Sequence, residues 1–268
     1  MNTRKRPLTS AMGRLGAMAL SLIVMLGTSL SVSADEADAK RLLKAMSDYV
    51  GSQKNLSFDY DAILEVVTDD GETLALASSG AVSLSRPDKI HATRHGGFAD
   101  AEMSFDGKTL TVLGENFNIY AQEELPGTVD QLAGELRLKY GRPLPAEDLL
   151  VTDSYDALML DVVDVKDLGS GVIGGVECDY LAFRGKEVDW QIWIAQGKEP
   201  YPCRYVIQSK LVAGAPQYSV QVRNWRTGSA VAPADFSFTN KTKAKKVDLD
   251  NLEGTEEMPK HFATGESK

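Results

Sequence analysis

From Phe58 to Val66 the chain alternates: Phe58, Tyr60, Ala62, Leu64 and Val66 fall on one side, Ser57, Asp59, Asp61 and Glu65 on the other. A side-chain period of two belongs to a strand with one dry and one wet face, as in an antiparallel sheet. Asp69-Asp70-Gly71 is a turn signal, and a return strand carries Leu74, Leu76, Val82 and Leu84 up to Arg86-Pro87-Asp88. Short strands follow at about 89–94, 101–105, 109–113 and 118–122, separated by Gly96-Gly97, Asp106-Gly107 and Gly114. A second meander reads 172–184, 188–195, 204–213 and 217–225, with Tyr218, Val220 and Val222 alternating against Ser219, Gln221 and Arg223.

Helices are few. Leu42, Leu43, Met46, Tyr49 and Val50 share one face of a helix from Asp35 to about Gln53. Thr128 with Gln131 forms a capping box ahead of Val129, Leu132, Leu136 and Tyr140. Two short helical pieces, around 146–150 and 155–160, precede the second meander. So few helices cannot coat both sides of a long flat sheet, and an apolar sheet face must close, stack or be covered. The pattern predicts an α+β fold that is mostly antiparallel β: a strongly curved, incomplete β-barrel with α-helices packed in its concave side. A closed eight-stranded barrel is the alternative. Residues 35–240 form one domain, and the lysine-rich stretch from 241 to 268 reads as a loosely ordered tail.

The N-terminus is a separate segment. Arg4, Lys5, Arg6 and Arg14 precede an apolar run from Leu15 to Leu30, ending in Ser31-Val32-Ser33-Ala34. This is the pattern of a secretory signal peptide over residues 1–34, cleaved after Ala34, and the run is short for a membrane span. Arg4-Lys5-Arg6 makes no clean twin-arginine pair, which favours the general secretory route. The leader takes basic residues only, so the mature chain is more acidic than the −9 of the full 268 residues. Such a charge excludes a nucleic-acid stripe and suits a periplasmic protein with no integral membrane segment. Export also places Cys178 and Cys203 where disulfides form, and their spacing fits a structural bridge rather than a redox C-x-x-C.

No catalytic constellation emerges. His91 and His95 are four apart in a strand pattern, roughly 13 Å, too far for joint metal binding. The acidic pairs Asp69-Asp70 and Glu123-Glu124 lie in turns, and no nucleophile elbow, phosphate loop or zinc helix is present. These residues imply no enzyme, no metal and no cofactor. Trp190 and Trp193 sit on opposite faces of one strand, with Trp190, Ile192 and Ile194 together. Tryptophans on a curved, sparsely covered sheet belong to its core or line a ligand cavity.

Phe105-Asp106-Gly107-Lys108-Thr109-Leu110, Pro126-Gly127-Thr128, Gly174-Gly175-Val176-Glu177-Cys178, Asp189-Trp190-Gln191-Ile192-Trp193-Ile194 and Pro200-Tyr201-Pro202-Cys203 follow one another in order. In this order the chain resembles a family of predicted bacterial periplasmic proteins, the domain of unknown function numbered 2092, over about Asp38 to Phe238. That family is similar to the LolA/LolB-like lipoprotein carriers, whose fold is an incomplete barrel with a helical lid. The resemblance implies no catalytic residue. Nor does it single out a lid-latching arginine among Arg137, Arg184 and Arg204.

Two functions fit. One is a soluble periplasmic module that holds a lipid acyl chain or lipoprotein between the sheet and helix Asp35–Gln53. Leu42, Leu43, Met46, Phe58, Tyr60, Leu64, Leu74, Leu76, Trp190 and Ile192 would line that space. The other is an interaction or sensor protein with a self-filled barrel and an envelope protein partner. The leader gives the first test: N-terminal sequencing of protein from the periplasm should begin at Asp35, and retention of the apolar run would refute cleavage.

Overall fold

The computed structural model describes residues 31–140 and 146–252, with side chains from residue 35 onward. The apolar run of the leader and residues 253–268 lie outside the described residues. Helix α1 (Ser31–Ser52) is followed by β1 (Asn55–Val67), β2 (Thr73–Ser85), β3 (Lys89–Gly96), β4 (Asp100–Phe105), β5 (Thr109–Gly114) and β6 (Ile119–Glu124). Helix α2 (Val129–Leu138), a 3-10 turn at Glu147–Leu149 and helix α3 (Ser154–Met159) then lead to β7 (Val162–Ile173). Strands β8 (Val176–Gly185), β9 (Val188–Ala195), β10 (Pro202–Ser209) and β11 (Gln217–Thr227) complete the second meander, and β12 is Lys245–Lys246.

All twelve strands form one sheet in the order β12-β6-β5-β4-β3-β2-β1-β11-β10-β9-β8-β7. Each meander is local, and the two join where β1 pairs with β11, from Leu56↔Thr227 to Leu64↔Tyr218. The sheet is strongly curved and does not close, since β7 and β12 end it on opposite sides. The closed eight-stranded alternative is thereby ruled out.

Register explains the core. On the first half of the concave face, Leu56, Leu84, Ile90, Phe105 and Leu110 stand side by side across β1–β5, all essentially inaccessible. One step along the strands come Phe58, Val82, Ala92, Met103 and Val112, then Tyr60, Gly80, Arg94 and Ala101. On the second half, Tyr218, Ile207, Trp190 and Phe183 make one row, and Val220, Tyr205, Ile192 and Leu181 the next. Trp190 stacks on Phe183 with centroids 3.8 Å apart and meets Tyr205 edge-on.

Helix α1 fills the second half. Ala39, Leu43, Met46 and Val50, spaced four, three and four apart, are buried against β7 and β9. Its outer face carries Lys40–Glu36 and Arg41–Asp38 pairs, which contribute little because they are exposed. Buried Ser47 accepts a hydrogen bond from the Tyr155 amide at 2.8 Å and pins α3.

The chain from residue 241 is not a loose tail within the described range. Ala244 is buried, β12 pairs in parallel with β6, and Leu249 and Leu252 pack against Ala121. Lysines made this stretch look solvated, yet they alternate with the few apolar anchors that hold it.

Leu43 is fully enclosed. Leu43→Ala should therefore cost about 2–5 kcal/mol through the cavity it leaves. Urea denaturation followed by circular dichroism measures this, and a loss under about 1 kcal/mol would place α1 outside the core.

Candidate functional site: an apolar cavity under the α2 cover

The first half of the concave face is filled differently. Its middle rows carry Ala92 and Ala101, so the side chains leave space above the strands. The result is a cavity of about 300 Å³. Phe58, Tyr60 and Leu64 of β1, Val82 of β2, Ile90, Ala92 and Arg94 of β3, and Met103 of β4 form its wall. Tyr218, Val220, Val222 and Trp225 of β11 continue it. The cover is Leu136 of α2, Ala146, Leu149 and Leu150 beside the 3-10 turn, and Leu249 and Leu252 from the C-terminal segment.

Two local devices shape the wall. Gly80 lets the Tyr60 ring cross β2, so that Tyr60 Oη donates to the Thr93 carbonyl at 3.0 Å. A methyl at Gly80 would lie 1.9 Å from that oxygen and 2.7 Å from Tyr60 Oη, so only glycine fits. The second device is a bulge between β1 and β11, where Asn224 takes a left-handed conformation with φ 53°. Strict alternation after Val222 would put Trp225 on the outside. The bulge turns it inward, where it stacks on Phe58 at 5.6 Å and on Tyr201 at 5.2 Å.

The cover is held by charge. Thr128 caps α2 through the reciprocal bonds with Gln131 read from the sequence. Arg137, in the last turn of α2, is paired with buried Glu147 and with Asp148, which ties α2 to the 3-10 turn. The hydrogen bond that Arg137 donates to Glu147 raises the Arg137 pKa. Arg86, at the end of β2, donates to the Leu150 carbonyl at 2.7 Å and to Thr152 Oγ1 at 3.3 Å. Thr152 in turn donates its amide to Asp130 on α2 at 3.1 Å. Desolvation lowers the Arg86 pKa and the Asp130 charge partly restores it. Of the three arginines weighed from the sequence, Arg137 alone is in the cover. Arg184 pairs with Asp189 on the surface, and Arg204 lies over the Trp193 ring at 5.7 Å on the convex face.

Among the residues expected to line a cavity, Phe58, Tyr60 and Leu64 do so. Leu43, Met46, Trp190 and Ile192 are instead core between α1 and the second half of the sheet, with Leu42 half-buried beside them. Leu74 and Leu76 lie half-buried on β2, beyond the lining. The expected position of the space, under helix Asp35–Gln53, is corrected: α1 contributes no lining residue, and α2 with the 3-10 turn forms the cover. Periodicity identifies inward faces but not which helix stands over which strands. The missed residues, Ala92, Arg94 and Ala101, were legible only as cross-strand neighbours.

Cys178 and Cys203 are both buried and lie beside one another as thiols, near but not bonded. They belong to β8 and β10, with Ala195 of β9 between them. A bulge at Cys203 turns it toward Cys178 and lets the thiols hydrogen-bond. His91 and His95, also single residues by the sequence, pair with Glu102 at 2.9 Å and with Asp100 at 3.6 Å. Among the described residues no group of three or more metal-ligating side chains forms. No described helix is long and apolar enough to cross a membrane.

A family model described as predicted periplasmic protein (DUF2092) matches residues 39–250. The chain belongs to the DUF2092 family. That match contains every strand and the whole cavity wall, and Leu252 alone of the cover falls beyond it. Among curated proteins none matches the chain. Solved structures similar to this DUF2092 chain include the lipoprotein LppX of Mycobacterium tuberculosis, at 12% identity and a TM-score of 0.38, covering 75% of this chain and 100% of that one. LprF from Mycobacterium bovis has 11% identity and a TM-score of 0.46, covering 76% and 98%. A putative outer membrane lipoprotein-sorting protein domain from Vibrio parahaemolyticus has 7% identity and a TM-score of 0.34, covering 75% and 97%. Similarity at this level speaks to chain path alone.

Burial pushes both thiols up in pKa, Cys178 and Cys203 alike. The fold thus favours the neutral form. Its contribution is complete below the unfolded thiol pKa of about 8.5 and is lost as pH rises from there through the folded values. At pH 8.5 the reduced, folded protein should react with iodoacetamide at least about 10-fold more slowly than in urea, since the thiolate is the nucleophile. Equal rates would show that the pair is accessible and ionised.

Proposed function

We propose that this chain is a non-catalytic periplasmic protein that holds a hydrophobic ligand, a lipid acyl chain or the acylated part of a lipoprotein. The ligand sits between β1–β5 with β11 and the α2 cover, after export through a leader cleaved behind Ala34. The observation that carries this reading is the cavity itself: about 300 Å³, walled by aliphatic and aromatic side chains above a floor of Ala92 and Ala101. A volume at the small end of the ligand-site range suits one chain rather than several. Each methylene moved from water into such a wall contributes about 0.8 kcal/mol. The cover is joined to the sheet at Arg86 and to itself at Arg137, and through α3 to Ser47 of α1.

A second reading, docking of an envelope protein partner, is favoured by β7. This edge strand exposes Val163, Leu168 and Val172, at 65%, 46% and 58% of their surface. An uncovered edge with apolar side chains is a surface for strand addition.

The neutral dye N-phenyl-1-naphthylamine tests the first reading. Wild-type protein stripped of lipid should bind it with a rise in fluorescence. Ala92→Phe, which fills the row between Val82 and Met103, should weaken binding at least 10-fold while leaving the thermal transition in place. Undiminished binding in that variant would refute the cavity, and native mass spectrometry of protein from periplasm would identify the cargo class.

A further inference from the structure

The cavity wall is not uniformly apolar, and its one ionisable cation among the described residues is Arg94. Arg94 lies on β3 in register with Gly80 on β2 and Ala101 on β4, the two smallest flanks a strand can give. Ala101 takes up little space on one side of it, and on the other the Tyr60 ring lies across Gly80. Ser78 on β2, the Thr93 carbonyl bonded by Tyr60 and Tyr218 on β11 lie at the same level or beyond it, while the Trp225 indole N–H lies one row deeper, beside Phe58. No described Asp or Glu is among the lining residues.

The cavity also has a direction. Ile90, four residues before Arg94 on the same strand and the same face, belongs to the row that is essentially inaccessible at the closed end. Leu64, Leu76 and Ser78, past Arg94 toward the other end, are half-buried. The distance from Ile90 to Arg94 along the strand is about 13 Å. A guest entering from the open end thus meets apolar surface deepest and the guanidinium nearer the mouth.

We infer that the cavity is built for a single-chain amphiphile with an anionic head, its tail directed to the Ile90 row and its head held by Arg94. The inference rests on the cavity reading above and adds to it the chemistry of the head group. A guanidinium presents a planar fork of donors that matches a carboxylate or a phosphate, and the charge-assisted bonds gain strength in apolar surroundings. Arg94 is engaged within the chain, so the head exchanges for that partner. The tail supplies affinity and the exchange supplies discrimination.

Isothermal titration of the lipid-stripped protein with dodecanoic acid, dodecyl phosphate and 1-dodecanol at pH 8 tests it. The acid or the phosphate should bind at least about 10-fold tighter than the alcohol. Whichever is the tighter identifies the head as carboxylate or phosphate. Arg94→Met should abolish the difference while leaving dodecanol affinity within about 2-fold, and Arg94→Lys should keep part of it. The wild-type comparison stands even if the methionine variant does not fold. Equal affinity for acid, phosphate and alcohol in wild type would overturn the inference and leave the cavity in place. So would an Arg94→Met that weakens all three alike. Failure of all three amphiphiles and of the dye to bind would overturn both.

Discussion

The pairing of β1 with β11 is what the rest of the molecule depends on. Each meander alone is a run of hairpins with two open sides, and neither has a covering for its apolar face. Joined at β1–β11 they become one sheet with a single concave side, and the Val220 and Tyr218 rows of the second half run across that seam to Ala62 and Leu64. The Tyr60–Val222 and Phe58–Trp225 contacts exist only because the seam is in register. Its bulge at Asn224 is equally consequential. One extra residue turns a tryptophan from the solvent face to the cavity wall.

On the two sides of the seam the same sheet is covered in different ways. The second half carries large inward residues, Phe183, Trp190, Ile192 and Tyr205, and meets the unbroken apolar face of α1. These surfaces interdigitate and leave no room. The first half carries Ala92 and Ala101 in its middle rows and meets a short helix and a 3-10 turn, held down by Arg86 and Arg137. Small side chains beneath a cover fixed at a few polar points leave a hollow. The filled half gives the protein its stability and so allows the other half to remain open to a guest.

Much of this was legible in the chain. The alternation in Phe58–Val66 and Tyr218–Val222 gave the strands and their inward faces, and the scarcity of helices demanded a curved, half-covered sheet. Thr128 and Gln131 announced the start of α2. What period-two reading cannot supply is the partner of a strand: nothing in Leu56–Leu64 says that it lies beside residues near 220. Without that pairing the helix over the cavity was misassigned, and Leu43 and Met46 were taken for lining rather than core. The bulges at Asn224 and Cys203 each shift a side chain to the opposite face, which defeats any argument from alternation. The C-terminal segment was hidden by its lysines, since two leucines and an alanine are enough to dock a strap onto an edge.

The seam has a temporal consequence as well. Hairpins within either meander close loops of a few residues, whereas β1 and β11 are separated by up to 171 positions, as in the pair Leu56 and Thr227. Contacts of such sequence separation are slow to form and reward the chain only after a large entropic cost is met. The first meander and its α2 cover can form before the last long strand is made, but the seam itself closes only when β11 is in place, which makes β1–β11 the late contact of the fold.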